Sequence, residues 1–346
     1  MMGKMSDAKI VVIGGGTGSF TVLSGLKKKL SDITAIVNMA DDGGSTGQLR
    51  DELGVLPPGD VRQCLVALSE SPKLRELFTY RFEEGALKGH AFGNIFLTAL
   101  EKMTGSFADA IDVADEVLQV NGRVVPVTLD NVRLIMRQRK GHDIIGEYKI
   151  GNMPFTLGEQ RPILELSPPA RLNPEAKRAI QAADMIVIAP GNLYGSVAPA
   201  LLVKGMTRAL QETKATIVYV CNLVTKPGQT DGFFVHDFAD EIERFIGARV
   251  LDFVLYNTQE PETSLRAKYI KDNEYNVAYD EQILAQSHFT ALGSAFLSGE
   301  AVQHSKADTI ATSRSYIRHN TNAITQHLIA ILERQKSNFD NKNAQE

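Results

Sequence analysis

Two glycine-rich loops hold the residue types best suited to chemistry in this chain. The first, Gly14-Gly15-Gly16-Thr17-Gly18-Ser19, is small enough for its backbone N–H groups to approach a phosphate at the start of a helix. Gly14-x-Gly16 opens like a dinucleotide fingerprint, but Ser19 stands at the third glycine position, so a plain tight turn stays open as a reading. The second loop, Asn38-Met39-Ala40-Asp41-Asp42-Gly43-Gly44-Ser45-Thr46-Gly47-Gln48-Leu49-Arg50, joins adjacent carboxylates to small residues and a guanidinium. Asp41 or Asp42 suits a Mg2+ ion or a ribose or sugar hydroxyl. The backbone of Gly43, Gly44, Ser45 and Thr46, with Arg50, suits phosphate oxygens. The same carboxylates could equally cap the helix that follows. A nicotinamide site would close its second strand with an acidic residue; Asn38 stands there, which argues against a dehydrogenase.

Other polar groups fall at comparable places. Asp60, in Leu56-Pro57-Pro58-Gly59-Asp60-Val61-Arg62, reads as a helix N-cap. His90-Ala91-Phe92-Gly93-Asn94 precedes a helix and could present His90 or Asn94 to a ligand; His90 lacks a Cys or His partner at metal-ligand spacing, which argues against a metal there. Asn192 and Tyr194 follow one later strand, and Asn222, Thr225 and Lys226 follow the next. No Walker lysine motif accompanies the glycine loops, so a P-loop reading loses ground. Arg133, Arg137 and Arg139 share one strand face, either as a basic edge that discourages aggregation or as a partner surface.

The elements that must position these groups follow from hydrophobic pattern. Ile10 to Ile13 is an apolar run without alternation, as in a strand buried on both faces of a parallel sheet. Helically spaced Phe20, Val22, Leu23, Leu26 and Leu30 come next, then a second strand from Ile33 to Asn38. The alternation returns as strand Met185 to Ile188, helix Val197 to Leu210, strand Thr216 to Cys221, helix Phe233 to Ile246 and strand Val250 to Tyr256. This pattern predicts an α/β fold: a Rossmann-like, doubly wound, mostly parallel sheet with helices on both faces. Between the halves, helices over Asp60 to Leu68, Pro72 to Phe82, Gly93 to Met103 and Phe107 to Val117 form a helical insertion (60–122). A β-hairpin region (123–170) follows, with antiparallel segments at Val124 to Leu129, Asn131 to Gln138 and Asp143 to Ile150. Pro162 to Pro174 then reads as a connector. One large domain over 9–330 is expected, its first βαβ unit at 9–50, its second α/β half at 184–335, and a frayed polar tail at 337–346. Tyr316, Ile317, Ile324, Leu328, Ile331 and Leu332 give a final amphipathic helix.

Composition narrows the function further. The 346 residues carry 37 Lys+Arg against 41 Asp+Glu, a net charge of −4, which argues against a dedicated nucleic-acid binder. Cys64 and Cys221 are too few for a zinc site or a disulfide framework. No apolar run approaches the ~18 residues of a membrane span, and Met1 to Lys9 has no signal-peptide core, so a cytoplasmic protein is expected.

The Val12-to-Gly18 run, the Asn38-to-Gly47 block and Pro57-Pro58-Gly59-Asp60-Val61-Arg62 together resemble the YvcK/CofD-like family, and most closely its YvcK branch, the gluconeogenesis factors. His90 to Asn94, Ala189 to Tyr194 and Asn222 to Thr225 are similar to the later family blocks. The resemblance implies a Rossmann-like fold shared with the 2-phospho-L-lactate transferases of coenzyme F420 synthesis. For the YvcK branch it implies a cytoplasmic regulator, needed for cell shape and peptidoglycan synthesis on gluconeogenic carbon, that binds UDP-sugars such as UDP-N-acetylglucosamine. No catalytic residue and no resident cofactor or metal is expected on that reading; self-association and protein partners in cell-wall synthesis stay open. An arginine associated with that binding falls on Arg318 of Arg318-His319-Asn320-Thr321, where Asn320 departs from the family's usual Asp; Asn192 stands where Ser is frequent. The alternative is a Mg2+-dependent phosphotransferase with the metal on Asp41 and Asp42.

Overall fold

A computed structural model describes residues 8–138, 142–155, 161–298 and 317–343. The first strand, β1 (Ile10–Gly14), is buried along its whole length, so it accepts no charge; each large aliphatic there contributes about 1.5–3 kcal/mol by leaving water. It pairs in parallel with β2 (Ile33–Val37) on one side, and β2 pairs in parallel with β3 (Arg123–Pro126). Between β3 and the second half lie β4 (Arg133–Arg137), β5 (Ile144–Ile145) and β6 (Ile163–Ser167), a separate antiparallel sheet in the order β5-β4-β6. On the other side of β1 stand β7 (Met185–Ile188), β8 (Thr216–Val220), β9 (Phe253–Asn257) and β10 (Thr290–Ser294). The main sheet therefore runs β10-β9-β8-β7-β1-β2-β3 with all its pairs parallel. The chain leaves β1 toward β2 and later returns to β7, which opens a crevice at the carboxyl ends of β1 and β7, where doubly wound sheets bind ligands.

Several expectations need correction. Val124 and Val125 belong to an edge strand of the main parallel sheet, not to a hairpin, because their partner is β2. The segment expected as a strand up to Ile150 has only two strand residues and then turns into a short helix, Glu147–Asn152, after Gly146 adopts a φ of 111°. The proline-flanked connector holds β6, whose alternating burial packs Leu164 and Leu166 inward. The helix expected from Val197 to Leu210 is broken: a π-helical turn, Leu193–Val197, runs into Ala198–Leu201, and a new helix, Met206–Glu212, begins after Gly205. Strand β10, poor in β-branched residues, and the polar helices Thr263–Lys271 and Glu281–Gln286 have no counterpart in the sequence expectations.

Helices follow at Pro58–Leu68, Pro72–Thr79, Phe92–Thr104 and Phe107–Leu118, the second ending short of the expected Phe82. The last helix, Thr321–Asn343, continues past Ser337, where the sequence turns polar. Its buried Ile324, Leu328, Ile331 and Leu332 match the amphipathic pattern, and Thr321 and Thr325 press on Gly25 of the helix Gly16–Leu26. Arg139 and Tyr316 lie outside the described residues.

Candidate functional site

The helix Gly16–Leu26 starts at the crevice with Gly15 at its N-cap and no side-chain cap, so its first amides face the carboxyl edge of the sheet. Gly16 takes a φ of 61°, which an L side chain would resist. A Cβ at Gly18 would overlap the Pro190 carbonyl oxygen, so glycine lets the β1 and β7 loops touch. Beneath the loop sits Asp60, where a Cβ on Gly15 would run into its carboxyl. Asp60 is the third residue of its helix rather than the N-cap, a position Pro57 takes, and its side chain turns to Gly15 and Gly16 instead of its own helix. Burial, and then the neighbouring Asp41 carboxyl, push Asp60 up to about 7; the Gly16 amide, Asn38 and Arg62 pull the other way. Asn38 is buried and accepts from Ala40 N–H at 3.0 Å, fixing the turn out of β2.

In the second loop the side chains divide their tasks. Asp41 accepts from Gly43 N–H at 3.0 Å and is held above the usual carboxylate range, chiefly by burial, against the pull of Gly43 N–H and the Thr46 hydroxyl. Asp42 accepts from Tyr148 N–H at 2.8 Å and pairs with Arg133 at 3.4 Å, so it fastens the small sheet and its helix to the β2 loop. Arg50, expected on phosphate, is a strut. Its guanidinium donates to Asn131 Oδ1 at 3.1 Å through Nε, to the Val132 carbonyl, and to the Asp41 carbonyl at 3.3 Å. Asn94 is likewise internal: its Oδ1 accepts from Arg62 Nε at 2.8 Å and its Nδ2 donates to Ser45 Oγ at 3.1 Å, which contacts His90 Nδ1 at 3.1 Å. Gly43 to Gly47 also spells Gly-x-Ser-x-Gly, the pattern of a hydrolase nucleophile elbow. Ser45, however, lies within the helix Gly44–Leu53, buried and held by Asn94, and does not project as an exposed elbow.

The helix Glu147–Asn152 roofs the crevice. Its Gly151 carbonyl accepts from Asn192 Nδ2 at 2.9 Å and from Lys226 Nζ, and Gln229 Nε2 donates to Ile150 and Met153 carbonyls at 2.9 Å. Asn192 and Lys226, at the ends of β7 and β8, are thereby drawn to the roof. Glu147 lies against Gly195, where a Cβ would stand 2.6 Å from its Oε1. Burial, reinforced by Asp41, Asp60 and Asp42, raises Glu147 well above an ordinary glutamate, with Lys226 opposing; burial lowers Lys226 in turn.

Arg318 reaches the other side of the glycine loop. A cavity of about 250 Å³ is lined by Thr17, Gly18, Gly191, Asn222 and Arg318, among others. Its back wall is fixed by Asn222, which donates to the Gly191 carbonyl at 2.7 Å, and by His319, whose Nε2 must carry the proton because it meets the Cys221 carbonyl at 2.9 Å. Burial lowers His319 to about 4, so it stays neutral. Tyr269 Oη accepts from Ile317 N–H at 2.7 Å and so sets the approach to Arg318. Asn320 caps the last helix, accepting from Asn322 and Ala323 N–H at 3.1 Å, a task Asn performs as well as Asp. Two expected ligand residues turn away: the Tyr194 ring packs between Phe155 and Phe245 with no exposure, and buried Thr225 exchanges hydrogen bonds with Tyr275.

The crevice thus gathers Gly14, Gly15, Gly16, Thr17, Gly18, Asn38, Asp41, Asn222 and Arg318, while Arg50, Asn94, Tyr194 and Thr225 support it from behind. Asp60, Glu147 and Tyr269 were not anticipated. Asp60 had a signal in its Pro-Pro-Gly-Asp motif; Glu147 and Tyr269 had none.

The chain as a whole is similar to known proteins. The family model "2-phospho-L-lactate transferase CofD" aligns with residues 10–297. The chain belongs to the CofD family. Within it, the chain is 39% identical over 335 residues to the "Gluconeogenesis factor" of Halalkalibacterium halodurans, covering 95% of this chain and 97% of that one. It is 36% identical over 334 residues to the protein of the same name in Listeria innocua, covering 96% and 98%. A crystal structure of a Bacillus halodurans protein superimposes with a TM-score of 0.84 at 36% identity, covering 93% of this chain and 99% of that one. Among the described residues no helix is long and apolar enough to cross a membrane.

The Mg2+ ion of the phosphotransferase reading meets a poor donor set in this CofD-family chain. Both Asp42 oxygens already accept from Tyr148 N–H and Arg133, and one Asp41 oxygen accepts from Gly43 N–H. Among the described residues no three His, Cys, Asp or Glu side chains stand at metal-holding spacing.

Proposed function

We propose that the chain is a nucleotide-sugar-binding regulator, a gluconeogenesis factor that senses a UDP-N-acetylglucosamine-like ligand in the cytoplasm and acts on cell-wall synthesis and cell shape during gluconeogenic growth. The observation that carries the reading is the convergence of a helix N-terminus and Arg318 on one cavity at the switch point of the sheet. Amides at a helix start and a guanidinium are complementary to a diphosphate, and 250 Å³ has room for that group and little more. The remainder of the ligand then extends along the crevice, beneath the roof.

Calorimetry with UDP-N-acetylglucosamine and with GDP, each with Mg2+ and with chelator, tests this. The expected result is UDP-sugar binding that survives chelation and weakens about 10- to 100-fold in Arg318→Ala, the range for losing a charge-assisted hydrogen bond. Absence of UDP-sugar binding at millimolar ligand overturns it. Mg2+-dependent GDP binding lost in Asp42→Asn would instead establish the phosphotransferase, which the family model's description favours.

A further inference from the structure

We propose that Glu147, carried in by the roof helix, reads the hydroxyl groups of the glycosyl half of the ligand, so that the crevice is divided into a phosphate end and a sugar end. This rests on the nucleotide-sugar reading above. The division follows from what faces each side of one loop. Thr17 and Gly18 face Arg318 and Asn222, whereas Gly15 and Gly16 face Asp60. The β7 loop repeats the split, with Gly191 on the Arg318 cavity and Gly195 against Glu147. A diphosphate at the Glu147 end would meet the carboxyl groups of Asp41, Asp60 and Glu147, where the other end offers it the Arg318 guanidinium. A neutral, polyhydroxylated ring meets the opposite situation, because each of its O–H groups can donate to a carboxyl oxygen.

Glu147 differs from its acidic neighbours in a way that points to a ligand. Asp42 and Asp41 accept from Tyr148 and Gly43 N–H, and Asp60 from Gly16. The Glu147 carboxyl makes no hydrogen bond to any described residue, although it is deeply enclosed and still touches solvent. Lys226 and the three aspartates are its electrostatic surroundings, and Lys226 Nζ is already directed at the Gly151 carbonyl. The Glu147 oxygens are therefore free to accept from hydroxyl groups of a ligand that enters the crevice. A site built to bond a hydroxyl also rejects a ligand that lacks it, so Glu147 would separate the nucleotide sugar from the bare nucleotide.

The test titrates full-length wild type, Glu147→Ala and Glu147→Gln with UDP-N-acetylglucosamine and with UDP in chelator, with thermal melts confirming that the variants fold. The expected result is at least a tenfold loss of UDP-N-acetylglucosamine affinity in Glu147→Ala, a smaller loss in Glu147→Gln, and UDP affinity within about threefold of wild type in both. Equal weakening of both ligands shows that Glu147 merely shapes the crevice and overturns the inference. Unchanged affinity for both does the same while leaving the nucleotide-sugar reading intact. Wild type that binds neither ligand overturns that reading and the role of Glu147 with it.

Discussion

Replacing Asp60 by asparagine removes an ionisable group beneath the glycine loop while keeping the side chain's shape and an acceptor oxygen for Gly16 N–H. The folded protein holds Asp60 at about 7, mainly through burial and the nearby Asp41, against 3.8 as its ordinary value. That difference corresponds to about 4 kcal/mol. Below pH 3.8 both the folded and unfolded chains keep the proton and no difference arises. Between about pH 4 and 7 the folded chain retains a proton that the unfolded chain has lost, so wild-type stability falls as pH rises, and above 7 the whole cost is in place. The asparagine amide cannot ionise, so the variant escapes it. Near 2.1 cal/mol/K per residue, a 346-residue chain converts about 4 kcal/mol into a shift of about 5 °C. Scanning calorimetry at pH 4.5, 6 and 8 should show Asp60→Asn melting close to wild type at the acidic end and about 5 °C above it at pH 8. A variant whose advantage stays constant with pH, or that melts below wild type at pH 8, would refute the assignment of Asp60 as a carboxyl held neutral by its surroundings.

Two further outcomes probe the supporting structure. Asn94→Leu leaves Arg62 Nε and Ser45 Oγ without their partner and should cost about 3 kcal/mol, seen in urea as a lower midpoint at unchanged slope; a loss under about 1 kcal/mol would mean that the network is not holding the loop. Gly18→Ala drives a Cβ into the Pro190 carbonyl and should part the β1 and β7 loops, reducing soluble yield and melting temperature together; a variant with wild-type melting contradicts the close approach.

The main sheet was legible because its strands are buried on both faces and therefore read as uninterrupted apolar runs, as in Ile10 to Ile13 and Met185 to Ile188. The strand ends then mark the ligand edge, so the two glycine loops could be placed at one crevice without a structure. What a run of residues cannot show is its pairing partner. Val124 and Val125 are apolar in either a hairpin or an edge strand, and only their register with Ala35 and Ile36 decides between the two.

Side-chain roles obey the same limit. The sequence by itself determined the α/β order, the glycine loops and the presence of carboxylates and guanidinium groups near them, since those depend on local pattern and chain direction. Tertiary structure alone decided which of these groups face the crevice. Arg50 meets Asn131 and Val132 from another part of the chain and becomes a strut, while Glu147 arrives from the small sheet, fastened there by Asp42, Asn192 and Lys226. Such contacts join residues 41 to 106 positions apart, and their energy comes from burial and hydrogen-bond geometry that exist only once the chain is folded.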